Sequence, residues 1–292
     1  MQGIAKKTCD VLPMLSDLHS VVVDVGDFDV AVGDYARLLG QAPDWVEWGA
    51  ERRTRSALFP LANTILEIRA AAAAPSAGAA PAGLSGLRLA CDDVERFVDR
   101  LASAGVAVRP RVSQKAERSD GQSARTWVSA MLDPVASRSI SIELISDEDG
   151  PRPLWTDAPS IDPQSAIRAL DHVVVFSADL DATRLFYADH LGIRLALDRR
   201  FEKRAVRLLF FRIGGVTIEI GGRLGVEPAP DSADRFGGLA WQVSDIEAIR
   251  SRLQADRFDV SELRDGNKPG TRVCTVRDPV HDVPTLLIEP LS

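Results

Sequence analysis

Between Ala169 and Gly192 the chain reads ALDHVVVFSADLDATRLFYADHLG, and the spacing of its apolar residues changes period half-way. LDHVVVFS is dense in β-branched residues and predicts a strand. DLDATRLFYADHLG then carries Leu180, Leu185, Phe186 and Leu191 at roughly helical spacing. Asp179 or Asp181 suits its N-cap and Gly192 its stop, which predicts a helix. Three strands follow in IRLALD, AVRLLFFRI and VTIEI, the last two joined by a turn at Gly214-Gly215. The order recurs downstream, with GLAWQVS a strand, DIEAIRSRLQAD a helix, and FDVSEL, TRVCTVRD and PTLLIEP strands.

The first half carries the same order less cleanly. HSVVVDV, a helix around Phe28 to Leu39, WVEW, SALFP and TILEI make one unit, and LRLAC onward to ISIELI makes another. Displaced by about 152 positions, the two halves register. Ser20 falls on His172, Asp27 on Asp179, Tyr35 on Tyr187, Glu67 on Glu219, Gly86-Leu87 on Gly238-Leu239, and Asp93 on Asp245. The register slips where LDPVASRSISIELI must be matched to RDPVHDVPTLLIEP. The chain is therefore a duplication, and each half divides again into βαβββ units. The Ala/Pro/Gly-rich AAAAAPSAGAAPAG reads as a linker between the first two units, and SDEDGPRPLWTDAPSIDPQSA as the linker between halves.

Composition narrows the function classes. The 292 residues are 45% hydrophobic and 26% charged, ordinary values for a globular protein of two domains. A net charge of −7 argues against a generic nucleic-acid binder, which needs a basic face. No apolar run reaches the roughly 18 residues of a membrane span, and the start lacks the features of a signal peptide. Cys9, Cys91 and Cys274 are scattered without CxxC spacing, against both a disulfide framework and a thiolate zinc site. The expectation is a cytoplasmic protein. Neither a phosphate-cradling glycine loop nor a Gly-x-Ser-x-Gly elbow is present in the sequence.

Four βαβββ units, the string DHVVV…D…FY…LG and the closing DPVHDVPTLLIEP make the chain resemble the vicinal oxygen chelate superfamily. That superfamily includes glyoxalase I, methylmalonyl-CoA epimerase, extradiol dioxygenases, hydroxyphenylpyruvate dioxygenase and bleomycin-resistance proteins. The resemblance covers nearly all of residues 17–291. It implies an α+β fold of two cupped, glyoxalase-like modules, at 17–146 and 167–292, with a tail at 1–16 and a linker at 147–166. Two paired units would form a cup that holds a divalent metal and a substrate.

The resemblance places metal ligands on the first and last strands of paired units. His172, Glu219 and Glu289 stand at three of those four positions, and Gly238 stands at the fourth, where dioxygenases carry a second histidine. A His-Glu-Glu set suits Mn, Fe, Co, Ni or Zn. Such an ion would chelate two neighbouring substrate oxygens, with Glu219 or Glu289 serving as general base. In the N-terminal half the four positions hold Ser20, Glu67, Gly86 and Glu143. Arg88 alternates with Gly86 and is expected to neutralise a glutamate there, leaving that cup metal-free.

Arg207 shares alternation with Leu209 and Phe211 and is the best candidate for an anion clamp within the basic stretch 194–212. That stretch also has a simpler reading as a solvated hairpin. Gln242 and Phe176 are expected to line the cup. Tyr35, Tyr187 and Trp241 read as core, and His281 as exposed in its turn. The leading function is a metal-dependent lyase or isomerase acting on a small oxygenated, possibly anionic metabolite, as monomer or homodimer. The alternative is a metal-free protein that sequesters a small molecule, and the third is a ring-cleaving or 2-oxoacid dioxygenase.

Overall fold

The computed structural model describes residues 14–49, 52–72, 82–121, 123–147, 162–229 and 232–290. The two interior linkers expected from composition fall mostly outside this set. In the N-terminal module the first unit is β1 (Leu15–Asp24), α1 (Phe28–Leu39), β2 (Trp45–Trp48), β3 (Thr54–Pro60) and β4 (Ile65–Ala71). The second is β5 (Gly83–Cys91), α2 (Val94–Ser103), β6 (Val112–Arg118), β7 (Ala124–Met131) and β8 (Ile142–Asp147).

In the C-terminal module the third unit is β9 (Ala169–Phe176), α3 (Leu180–Arg184), β10 (Arg194–Phe201), β11 (Val206–Ile213) and β12 (Val216–Arg223). The helix α3 continues as a π-helix over Leu185–His190. The fourth unit is β13 (Arg235–Gln242), α4 (Ile246–Ala255), β14 (Asp259–Val260), β15 (Arg264–Asp265), β16 (Thr271–Asp278) and β17 (Thr285–Pro290). No helix among the described residues is long and apolar enough to cross a membrane.

One local device starts all four helices. Asp27, Asp93, Asp179 and Asp245 each accept a hydrogen bond from a backbone N–H three residues on, at 2.9–3.1 Å. These side chains satisfy donors that the first helical turn leaves unpaired.

The sheets differ in closure. The N-terminal strands form a closed barrel in the order β1-β4-β3-β2-β6-β7-β8-β5. Pairing of Glu47 with Arg118 and Trp48 with Glu117 shuts it. The C-terminal sheet runs β10-β11-β12-β9-β13-β17-β16-β14. Its expected strand FDVSEL shrinks to the two residues of β14, and β15 is equally short. No described pairing joins β10 to the far end, so this module stays a cup. Each sheet packs its convex face on its helices, and one hydrophobic core runs through both modules. Tyr35, Tyr187 and Trp241 are buried in it.

Polar contacts pin the modules together. Asn63 exchanges hydrogen bonds with the backbone of Leu170 at 2.8 and 3.0 Å. Arg252 donates to the carbonyls of Ser165 and Leu38. His281, expected to be exposed, instead has Nε2 2.9 Å from Asp34 Oδ2 and its ring stacked on Tyr35. Asp34 and Tyr35 come from the other module, and so distant a partner leaves no trace in the sequence around His281.

The barrel interior of the N-terminal module is filled with paired charges. Arg88 Nε lies 2.7 Å from Glu143 Oε2, and its Nη1 donates to Glu67, which is 1% exposed. The Ser56 hydroxyl donates to the same carboxylate at 2.9 Å. Burial pushes the Glu67 carboxyl up, but the guanidinium groups of Arg88, Arg69 and Arg125 outweigh it and hold the group below its ordinary value. Arg125 pairs with Glu47 at 2.7 and 3.1 Å and lies over the Trp127 ring. Arg88→Ala would strand two carboxylates in this interior and is expected to cost about 3–5 kcal/mol. Urea unfolding measures it, and a cost under about 1 kcal/mol would mean that water reaches the carboxylates.

Candidate functional site

Strand alternation decides which C-terminal residues meet. On β9, Val173 and Val175 enter the core, so His172, Val174 and Phe176 face the concave side. On β12, Ile218 and Ile220 enter the core, which turns Thr217 and Glu219 to the same side. Cross-strand register arranges these side chains in rows. Thr217, His172, Ala240 and Leu286 make the first. Phe210, Glu219 and Val174 make the second, and Leu208, Gly221, Phe176 and Arg235 the third.

The structure brings His172 and Glu219 together. His172 Nε2 lies 3.8 Å from Glu219 Oε2, and its Nδ1 lies 2.8 Å from Asp171 Oδ1. The hydrogen bond from His172 holds the Asp171 carboxyl below its usual value. Glu219 behaves oppositely. Burial pushes its carboxyl up, and the attraction of His172 does not compensate.

The third row opens into a cleft of about 460 Å³ walled by Phe176, Val206, Leu208, Gly221, Val226 and Arg235. Phe176 is 41% exposed there, and the Arg235 guanidinium lies 4.5 Å from its ring centroid. Phe176 therefore stands where the sequence places it. Gln242 is exposed at the rim, on the face it shares with Ala240.

Two other expectations are corrected. Glu289 does not approach His172. It alternates with Leu287, which is fully buried against the helices, so both face that layer. Its Oε2 accepts from Arg272 Nε at 2.8 Å, and Oε1 lies 3.3 Å from Ile246 N at the start of α4. The two halves lose their common spacing near the C-terminus, which displaces Glu289 from the position of Glu143. Arg88 pairs with Glu143 as Ala240 pairs with Leu286, so Leu286 occupies the place given to Glu289.

Arg207 is also on the helix side, because Leu209 and Phe211, whose alternation it shares, are core residues. It forks onto Asp198 at 2.7 and 2.8 Å and reaches Asp181 at 2.7 Å. The cup-facing residues of that strand are Val206, Leu208, Phe210 and Arg212, the last donating to Thr217. Arg235 and Arg223, which sequence reasoning passed over, are cations that do line the cleft, and of the two Arg235 lies over Phe176. Plain alternation would put Arg235 with Leu239 and Trp241 in the core, and only the register shift at Gly237 turns it to the cup beside Phe176.

These residues do not fit the metal site that the resemblance implies. Among the described residues no three His, Cys, Asp or Glu side chains converge as a ligand set. The row of His172 continues into Ala240 and Leu286, and that of Glu219 into Val174 and Phe210, none of which has a donor. Gly238 has φ +137°, and a Cβ there would overlap Pro284 O, so no histidine could stand at the fourth position.

The family model for the Glyoxalase/Bleomycin resistance protein/Dioxygenase superfamily matches residues 17–121 and again 169–281. The chain belongs to this superfamily. Among solved structures, a mutant 4-hydroxymandelate synthase from Streptomyces coelicolor is 17% identical, over 94% of this chain and 93% of that one, with TM-score 0.64. BphC, a halotolerant catechol dioxygenase, is 14% identical over 94% and 87%, with TM-score 0.58. Both share the tandem fold of this superfamily member. Methylmalonyl-CoA epimerase from Mycobacterium tuberculosis is 24% identical over 45% of this chain and 94% of that one, with TM-score 0.37. A comparison with curated protein sequences finds no match.

The raised carboxyl of Glu219 has a consequence for stability. The folded state holds that proton more tightly than the unfolded chain, so stability falls as pH rises from the ordinary value of 4.5 through the raised one. Glu219→Gln should therefore raise the melting temperature near neutral pH and leave it unchanged well below 4.5. Parallel melting curves for the two proteins at every pH would show that Glu219 ionises without a burial cost.

Proposed function

We propose that the C-terminal cup is a metal-independent binding site, as in the bleomycin-resistance branch of the superfamily, and that its own ligand is a small, largely apolar molecule with an anionic group. The replacement that supports this reading is Ala240 and Leu286, standing where the N-terminal module has Arg88 and Glu143. It removes charge from the floor and leaves an apolar surface leading to the cleft. Val174, Leu208 and Phe210 would take the apolar body, and Arg235 over Phe176 would take the anion. His172 and Glu219 supply hydrogen-bonding groups at the other end of the floor.

One observation favours a second reading, the metal-dependent isomerase or lyase. His172 Nδ1 is anchored on Asp171 and its Nε2 faces Glu219, the orientation of a ligating histidine supported by a carboxylate. The deciding experiment measures metal content in protein purified without a chelating tag, beside a thermal-shift panel of aromatic and aliphatic carboxylates and sulfonates. The expected result is substoichiometric Mn, Fe, Co, Ni and Zn, with stabilisation by panel members that survives a chelator and is lost in Phe176→Ala. A ligand at about 100 times its Kd would add about 2.7 kcal/mol. A near-stoichiometric ion that disappears in His172→Ala overturns the metal-free reading in favour of the enzyme.

A further inference from the structure

The cleft is walled by the C-terminal module, yet the segment that carries Arg235 is held by the N-terminal one. The turn between β7 and β8 places Arg138 and Ser139 consecutively in the left-handed region, at φ 54° and 72°. Non-glycine residues keep that conformation only where their surroundings hold it. Here Ser139 N donates to Pro134 O at 2.7 Å, and Arg138 O accepts from Asp234 N at 2.8 Å. The Arg138 side chain then reaches over the same residue, with Nε 3.3 Å from both Asp234 carboxylate oxygens.

Asp234 lies between Ala233 and Arg235, both of which line the cleft, and its own side chain is 1% exposed. From its other side the Thr183 hydroxyl lies 3.1 Å from Oδ2. Thr183 in turn lies 2.8 Å from the hydroxyl of Ser177, another cleft residue. One buried carboxylate thus ties the first residues of β13 to the end of β9 and to α3, and its cation comes from the other module.

We infer that Arg138 is a positioning residue for the cleft: through Asp234 it fixes the backbone from which Arg235 reaches over Phe176. The inference rests on the reading of the cleft as an anion-accepting site. It also gives the N-terminal module a part in a site to which, among the described residues, it contributes no lining residue. A guanidinium held in place over an aromatic ring loses less freedom on meeting an anion than one on an unsupported segment.

The test uses the full chain and anilinonaphthalene sulfonate, an apolar anion whose fluorescence rises on leaving water. Arg235→Ala is expected to weaken binding about tenfold by removing a charge-assisted contact. Arg138→Ala, and the nearly isosteric Asp234→Asn, are expected to weaken it about three- to tenfold. Arg138→Ala/Arg235→Ala should bind no more weakly than Arg235→Ala alone, as coupling between the two requires. Arg252→Ala, which cuts module contacts away from the cleft, should leave the affinity within about twofold.

Additive effects of Arg138 and Arg235, or equal weakening by Arg252→Ala, overturn the positioning role while leaving the cleft in place. Wild-type affinity in both Arg138→Ala and Asp234→Asn does the same. No binding by the wild type, or no effect of Arg235→Ala and Phe176→Ala, removes the cleft reading itself and this inference with it.

Discussion

A carboxylate aimed into the concave face of a curved sheet must find a cation, water or a proton. Each half of this duplicated chain places one there, Glu67 in the first and Glu219 in the second, and the two modules meet the demand differently. Around Glu67, Arg88 supplies a guanidinium that also takes up Glu143, and Ser56 adds a hydrogen bond. The carboxyl is held below its ordinary value, and the interior is shut by the β2–β6 pairing. Around Glu219 the guanidinium is gone, and His172 stands 3.8 Å away with a neutral row of Ala240 and Leu286 beside it. The carboxyl is left less acidic than usual.

Closure follows the same division. The last two residues of β6, Glu117 and Arg118, pair across to β2, whereas β14 and β15 have two residues each and pair, among the described residues, with β16 alone. A barrel whose interior charges are already paired can close without leaving polar groups unsatisfied. A floor of half-buried apolar residues beside an underpaired carboxylate is suited to receiving a molecule instead. The shared core and the contacts of Asn63, Arg252 and His281 hold the closed module against the open one. The filled module thus serves as a scaffold for the other.

Local pattern was readable in the strands and helices of this chain because it rests on near neighbours. TRVCTVRD is strand β16 from end to end, and Asp179, one of the two aspartates expected to start its helix, does so. Errors arose where a side chain's face had to be inferred. Arg207 was assigned to the cup with Leu209 and Phe211, since alternation says which residues share a face but not which face looks inward. Glu289 lies beyond the point where LDPVASRSISIELI and RDPVHDVPTLLIEP lose register, so spacing does not fix its counterpart in the other half. Only hydrogen-bonded register showed that Leu286 is the true counterpart of Glu143.

The sequence by itself determined the duplication, the α+β units, the family to which the chain belongs, and the placing of His172, Glu219 and Phe176 on one surface. Each of these depends on period, spacing or self-similarity, which are properties of the chain. Tertiary structure alone decided that one module closes and the other stays open, and that Glu289 serves the start of α4. It also decided that Arg235 rather than Arg207 reaches the cleft, and that Asp234 takes its cation from the opposite module. Each of these is a pairing between residues far apart in the chain, where strand register and the packing of one module on the other set the distance.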